Sequence, residues 1–358
     1  ATQYADKEKA KLRQQKIKLF KQVIPTLDAK EEPIRKAQLM YQLAEEYWEE
    51  SKYLRFQAME KHNIAMEQWD KDCRRRQNSS KCPKAPKPKL QAANKFRQKA
   101  IGVYEDLLKT FPKYQRADEV LYTLGFNYIE DKKAPKGLQA FQKLIQNYSR
   151  SRFIPDAYTA LGDHYFNTKT KSGTAQNLQA IKNYRAALKV SLERIQQTQD
   201  LERKITLRGT HLRALYMFAW CALRVGEYDK SLKHLQEVIR RSLRYQKTKE
   251  SKVLLHDEAL RDLVRVYARL NASENAYTYF RSIMGPKYAY QAVKRLASRY
   301  YNQGNYEYSI KTYRFLMTLN PAGQPDNNGP EVPRFQNEVL RSVAKIKVDT
   351  PKDIYKEV

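Results

Sequence analysis

Apolar and small residues recur along this chain at i, i+3, i+4 and i+7, the spacing that lays one stripe along one face of an α-helix. Met40, Leu43, Ala44 and Tyr47 form such a set, as do Leu121, Leu124, Gly125 and Tyr128, and Tyr158, Leu161, Gly162 and Tyr165. The phrase returns at Leu215, Phe218, Ala219 and Ala222, at Leu260, Leu263, Val264 and Tyr267, and at Val293, Leu296, Ala297 and Tyr300. The small residue in each set marks where two helices approach most closely. Nine residues after the last position a compact residue opens a second stripe, as Gly137 does for Phe141 and Leu144, and Ala276 for Phe280 and Ile283. Ser231 and Ser309 hold the same slot.

The pattern predicts an all-α chain of about six helix pairs. Only eleven glycines and fourteen prolines interrupt a composition rich in helix formers. Gly226 and Gly304 fall where a first helix should end in the left-handed region, and Pro112, Pro155, Pro286 and Pro321 fall near the ends of second helices.

Departures from the period predict special segments. The first unit takes 81 residues to reach the second. Its extra stretch, about 51–99, reads as two helical patterns joined by CRRRQNSSKCPKAPKPK, a projecting helical hairpin with its tip near Cys73 and Cys82. The third unit has a long second helix, about 176–200, and then a polar linker before Thr210. The resulting division is a basic N-terminal helix over 1–36, a first unit with its insertion over 37–112, five further units over 113–321, a loop over 322–333, and a capping helix with a tail over 334–358. Phe335, Val339 and Val343 share one face of that cap.

These intervals resemble the tetratricopeptide repeat, whose motif places W/L, L, G/A, Y, A, F/Y, A and P in this order, over roughly residues 37–321. The resemblance implies a superhelix that binds extended segments in its concave groove instead of enclosing a catalytic pocket. Carried over position by position, it implies groove residues at Tyr41, Trp48, Tyr122, Phe126, Asp163, Tyr216, Trp220, Arg261, Arg265, Arg269, Lys294 and Tyr301, with Gln291 and Ser298 beside the last two. Aromatic residues dominate the early units, whereas Arg261, Arg265 and Arg269 form an i, i+4, i+8 ladder that continues toward Lys294. Repeats that clamp a C-terminal carboxylate carry Asn where this chain has Phe126, Asp163, Trp220, Arg265 and Ser298, which argues against that specialisation. A narrower similarity, in AWCALRVGEYDKSLKHLQEVIRRS and SRSRFIPDAYTALGDHYF, is to periplasmic repeat proteins associated with gliding motility and predation in myxobacteria and their relatives. It implies a scaffold of the cell envelope.

Charge narrows the partner's sign only. Sixty-eight Lys and Arg against 39 Asp and Glu leave a net charge of +29, a field that attracts acidic protein segments, anionic lipid, cell-wall polymer or nucleic acid alike. A cytoplasmic RNA-binding helical repeat is therefore the competing reading, but most of the 26 tyrosines occupy packing positions and no arginine-glycine tract occurs. Basic residues crowd the hairpin tip at Arg74, Arg75, Arg76 and Lys81.

Catalytic chemistry finds no foothold in the motifs. There is no phosphate-cradling loop, HExxH, nucleophile elbow or calcium loop, and the five histidines lack spaced partners, so neither enzyme activity nor a cofactor or metal is expected. Asp163 beside His164 is at best a formal acid/base pair, because adjacent helical residues point to different faces.

Cys73 and Cys82 enclose eight residues and admit three readings: a disulfide, two reduced surface thiols, or a zinc site short of ligands. A first residue other than Met, which suits either signal-peptide removal or a boundary cut from a longer chain, and the periplasmic similarity favour the disulfide and an envelope location over a cytoplasmic one. Cys221, inside a first-helix stripe, reads as a core thiol.

Overall fold

A computed structural model describes residues 2–75, 82–168, 174–270 and 275–346, with side chains from residue 8 onward and none for residues 74 and 75. The described residues form fourteen α-helices packed as sequential pairs, with no strand longer than a single isolated bridge, Leu319 to Pro325. The chain divides into two compact units, Ala1–Phe153 and Ile154–Val358.

In the first unit α1 (Thr2–Val23) packs on α2 (Pro33–Arg75), which pairs with α3 (Gln91–Thr110), and α4 (Ala117–Glu130) pairs with α5 (Ala134–Asn147). Residues of the predicted stripes face inward, with Ala44, Tyr47, Leu124, Phe141 and Leu144 buried, and Tyr104 and Leu107 of α3, outside those stripes, are buried with them. Polar pairs hold the outer register, with Arg13 on Glu50 at 2.8 Å, Lys16 on Glu46 at 2.9 Å, and the buried Arg97 on Glu130 at 2.9 Å.

The projection is asymmetric. Its outgoing arm is helical to Arg75, but the returning arm becomes helical only at Gln91. Residues 82–90 lie in no regular element, because Pro83, Pro86 and Pro88 each remove a backbone donor and fix φ. A Cys73–Cys82 disulfide, Cα atoms 5.4 Å apart, joins the two arms. The predicted basic tip falls outside the described residues at Arg76 and Lys81, and outside the described side chains at Arg74 and Arg75.

The second unit runs α6 (Ile154–Asn167), α7 (Thr174–Gln197), α8 (Leu201–Arg224), α9 (Tyr228–Thr248), α10 (His256–Tyr267), α11 (Ala276–Met284), α12 (Pro286–Asn302), α13 (Tyr306–Leu316) and α14 (Val332–Val343). One continuous apolar core passes from Leu212 in α8 to Val343 in α14. Gly226 and Gly304 take φ near +81° and +78° in the turns after α8 and α12, where a side chain would be strained. As predicted, Phe335, Val339 and Val343 bury one face of α14 against α13.

The linker expected before Thr210 is instead helix. Asp200 caps α8 by accepting from the Arg203 amide at 3.2 Å, and the polar residues after it form two exposed turns ahead of the buried Leu207. Polarity there marks a solvated helix face, since no Pro interrupts the segment and its one glycine, Gly209, lies within α8.

Candidate partner-binding surface

Residues implied as groove positions link successive first helices of the second unit. From α6, Asp163 accepts from the Tyr184 hydroxyl at 2.7 Å and pairs with Arg213 of α8 at 2.5 Å. His164 packs its ring on Tyr165, so the formal Asp163–His164 pair is not assembled. Arg224 of α8 stacks 3.4 Å over the ring of Phe166 and donates to its carbonyl at 2.7 Å.

The next link is centred on a carboxylate that the groove positions did not include. Asp262 of α10 is buried, and its Oδ2 accepts from the Tyr216 hydroxyl at 2.6 Å and from Trp220 Nε1 at 3.0 Å, both on α8. Arg265 sits 3.4 Å from the other oxygen of Asp262, with its guanidinium 5.3 Å over the Trp220 ring. Three side chains thereby share one buried anion, which fixes their rotamers. A lone Asp in the apolar run Leu260, Asp262, Leu263, Val264 was the available signal, since a buried carboxylate must find donors.

Positive charge accumulates beside this link without equal acid. Arg261 is exposed and only 3.5 Å from Glu258. The predicted arginine ladder breaks at its third rung, because α10 ends at Tyr267 and Arg269 sits on a 3-10 turn, Ala268–Leu270. Arg299 of α12, absent from the predicted set, completes the cluster. Burial, with Arg265 and Arg269 nearby, holds its guanidinium below the ordinary value, and its buried Nε has no hydrogen-bond partner among the described residues.

The last link closes on the cap. Lys294 of α12 pairs with Glu331, which also accepts from the Tyr290 hydroxyl at 2.6 Å. Gln291, Lys294, Ser298 and Tyr301 of α12 face Arg334, Phe335, Glu338 and Arg341 of α14 around a cavity of about 460 Å³. Arg341 lies 5.5 Å over the Tyr301 ring.

The first-unit positions are less available. Tyr41 is only 5% exposed, wedged between Tyr104 and Tyr114 with Arg116 4.2 Å over its ring, so it is a packing residue and presents no face to a ligand. Trp48 is half-buried under Lys52. Tyr122 stacks on Phe153 at 4.7 Å and meets Phe126 edge-on at 4.9 Å, and Phe126, 38% exposed, is the open edge of that cluster.

Among the described residues no group of His, Cys, Asp and Glu could hold a metal, and no helix is long and apolar enough to cross a membrane. Cys221 is fully buried, with burial pushing its thiol up to about 12.

The arrangement can hold an anionic, extended ligand by ring faces and guanidiniums. No curated protein matches the chain. The family profile described as tetratricopeptide repeat matches residues 119–151, the α4–α5 pair, and such repeats generally bind protein partners and point to a scaffold-type protein.

Proposed function

We propose that the chain is a non-enzymatic interaction scaffold whose second unit grips an acidic, extended segment of a protein partner. The observation that carries this reading is the Asp262 link: one buried carboxylate orders Tyr216, Trp220 and Arg265, while Arg269 and Arg299 add cationic charge beside Arg261, which pairs with Glu258. Fixed aromatic faces take apolar side chains, and the planar guanidiniums take carboxylates two oxygens at a time.

The test is fluorescence anisotropy of a labelled oligoglutamate peptide against the full chain at moderate ionic strength. Arg265→Gln with Arg269→Gln is expected to weaken binding by about tenfold or more, the scale of one or two charge-assisted hydrogen bonds. Equal binding by wild type and variant, or a stronger and sequence-selective preference for single-stranded RNA, would overturn the proposal.

The cell envelope is the location we propose, within a machine of the motility or predation type. The Cys73–Cys82 bridge supports an oxidising compartment, and the similarity to periplasmic repeat proteins supports the machine. Both thiols reacting freely with an alkylating agent in extract from the native host, before any reductant is added, would contradict it.

A further inference from the structure

Residues 82–90 are built unlike the other connections among the described residues. Cys82 is tied to Cys73, the Trp69 indole N–H donates to the Pro83 carbonyl at 2.7 Å, and the segment then runs to Leu90 at the start of α3. Three prolines stiffen this strap, and Pro86, Pro88 and Leu90 turn partly inward while Lys84, Lys87 and Lys89 stand exposed. None of these three lysines has an ion pair among the described residues, and residues 73–104 contain no Asp or Glu. Of the acids on the nearby stretch of α2, Glu67 is paired with Lys71 and Asp72 accepts from Gln68.

We propose that this strap is a pre-ordered docking edge for an anionic phospholipid surface, independent of the second-unit groove. Surface lysines that serve only solubility need no covalent tie, no indole anchor and no proline spacing. Those features remove chain entropy before binding, so more of the Coulomb attraction survives as affinity. The chemistry also selects the class of anion. The three prolines favour a polyproline course, and at about 3.1 Å rise and three residues per turn such a course carries residues three apart, as Lys84 and Lys87 are, on one edge about 9 Å apart. Lysines are point charges without the fork that grips one phosphate or stacks on a base, and the strap carries no aromatic ring. A row of point charges whose one neighbouring ring, the Trp69 indole, is tied to the Pro83 carbonyl suits a field of headgroups better than a nucleic-acid strand.

Co-sedimentation of the full chain with phosphatidylcholine vesicles, with and without phosphatidylglycerol, tests this. Binding should require phosphatidylglycerol. Lys84→Gln, Lys87→Gln and Lys89→Gln together should weaken it about 100-fold, from about a factor of five per lysine at an anionic surface. Lys143→Gln, Lys182→Gln and Lys189→Gln, which remove the same charge from exposed positions elsewhere, should leave most of the binding intact. Equal losses from the two triple variants would show that the net charge of +29 acts as a whole and would overturn the proposal. Cys73→Ser with Cys82→Ser should bind more weakly than wild type, and unchanged affinity would overturn the pre-ordering. Tighter binding to a homopolymeric RNA, lost in the strap variant, would overturn the choice of lipid. Arg265→Gln with Arg269→Gln should sediment as wild type does, which separates this outcome from the fate of the groove.

Discussion

Gly125 and Gly137 stand across the α4–α5 turn at the same twelve-residue offset as Ala219 and Ser231 across α8–α9, and Ala297 and Ser309 across α12–α13. In the first unit the two backbones meet bare: a Cβ at Gly137 would lie 2.7 Å from the Gly125 carbonyl oxygen and 2.7 Å from Ile129 Cγ1. A Cβ at Gly125 would strike the buried ring of Phe141 at 2.5 Å. Two of the second unit's slots hold a hydroxyl instead, with Ser231 Oγ donating to the Ala219 carbonyl at 2.9 Å and Ser309 Oγ to the Ala297 carbonyl at 3.1 Å, while Ala276 fills the slot of α11 with a bare methyl. The repeat thus sets where two helices touch, while the chemistry of the touch is free to be steric or hydrogen-bonded. The two kinds of contact should fail differently.

The largest effect is expected at the bare contact. Replacing an ordinary helical Gly by Ala stabilises by about 1 kcal/mol, so propensity alone predicts a gain at residue 137. The clash with backbone atoms outweighs it, because a carbonyl cannot rotate aside as a flexible side chain can. Gly137→Ala should cost about 3 kcal/mol by equilibrium urea unfolding, the upper part of the range for overpacked sites. A stabilised variant would mean that α4 and α5 have room to part, and the contrast between the units would vanish.

That contrast was half visible in the sequence. Apolar period and the small residue nine positions after each first helix locate the slots, because helical geometry admits few spacings. Whether Gly137 and Ser231 act by shape or by hydrogen bond depends on interhelical distance, which no spacing records. The second-unit surface divides the same way. Tyr216, Trp220 and Arg265 follow from motif positions, but Asp262, which orders them, lies off the inner row, and Arg299 reaches the cluster from the next pair. Tyr41 occupied a groove position by motif and is packed by Tyr104 of α3 and by Tyr114 of the α3–α4 connection. The irregular stretch over 82–90 was legible from its prolines. Its return along α2 rests on the Trp69 indole, a contact between residues fourteen apart that no periodicity announces.

Polar contacts bring titratable groups into the second unit, and acid should sharpen the comparison. His211 of α8 is buried, with Nδ1 2.9 Å from Ser191 Oγ of α7 and Nε2 accepting from Arg241 of α9 at 2.8 Å. Because Arg241 always donates, Nε2 must be unprotonated, which assigns the proton to Nδ1. Burial first, and then the Arg241 charge, lower its pKa from 6.5 to about 4. The unfolded chain binds that proton more readily, so the stability is complete above pH 6.5 and is lost as pH falls toward 4. At pH 5 the expected loss is about 2 kcal/mol relative to pH 8, on the scale of 1.36 kcal/mol per unit. Hydrogen exchange should accelerate in α8 well before α4, whose contact with α5 at Gly125 and Gly137 holds no titratable group. Simultaneous loosening of both helices would break the comparison. In His211→Gln the selective acid response of α8 should disappear.

The smallest effect is expected where the hydroxyl sits. Ser231→Ala removes one buried donor and leaves the Ala219 carbonyl, part of the α8 helix, with its intrahelical role. No clash arises, because Ala keeps the Cβ already present and drops only Oγ. A buried hydrogen bond contributes about 1 kcal/mol net, and the better helix propensity of Ala returns part of that, so urea unfolding should register a loss of about 0.5–1 kcal/mol. Ser309→Ala should cost slightly more, since Ser309 Oγ also lies 3.3 Å from Ser342 Oγ of α14, whose proton goes to the Glu338 carbonyl at 2.8 Å, and that buried hydroxyl would lose a polar contact. A loss at Ser231 as large as the one at Gly137 would show that the hydroxyl acts as a strut setting the helix separation, and the two contacts would then be variants of one steric device.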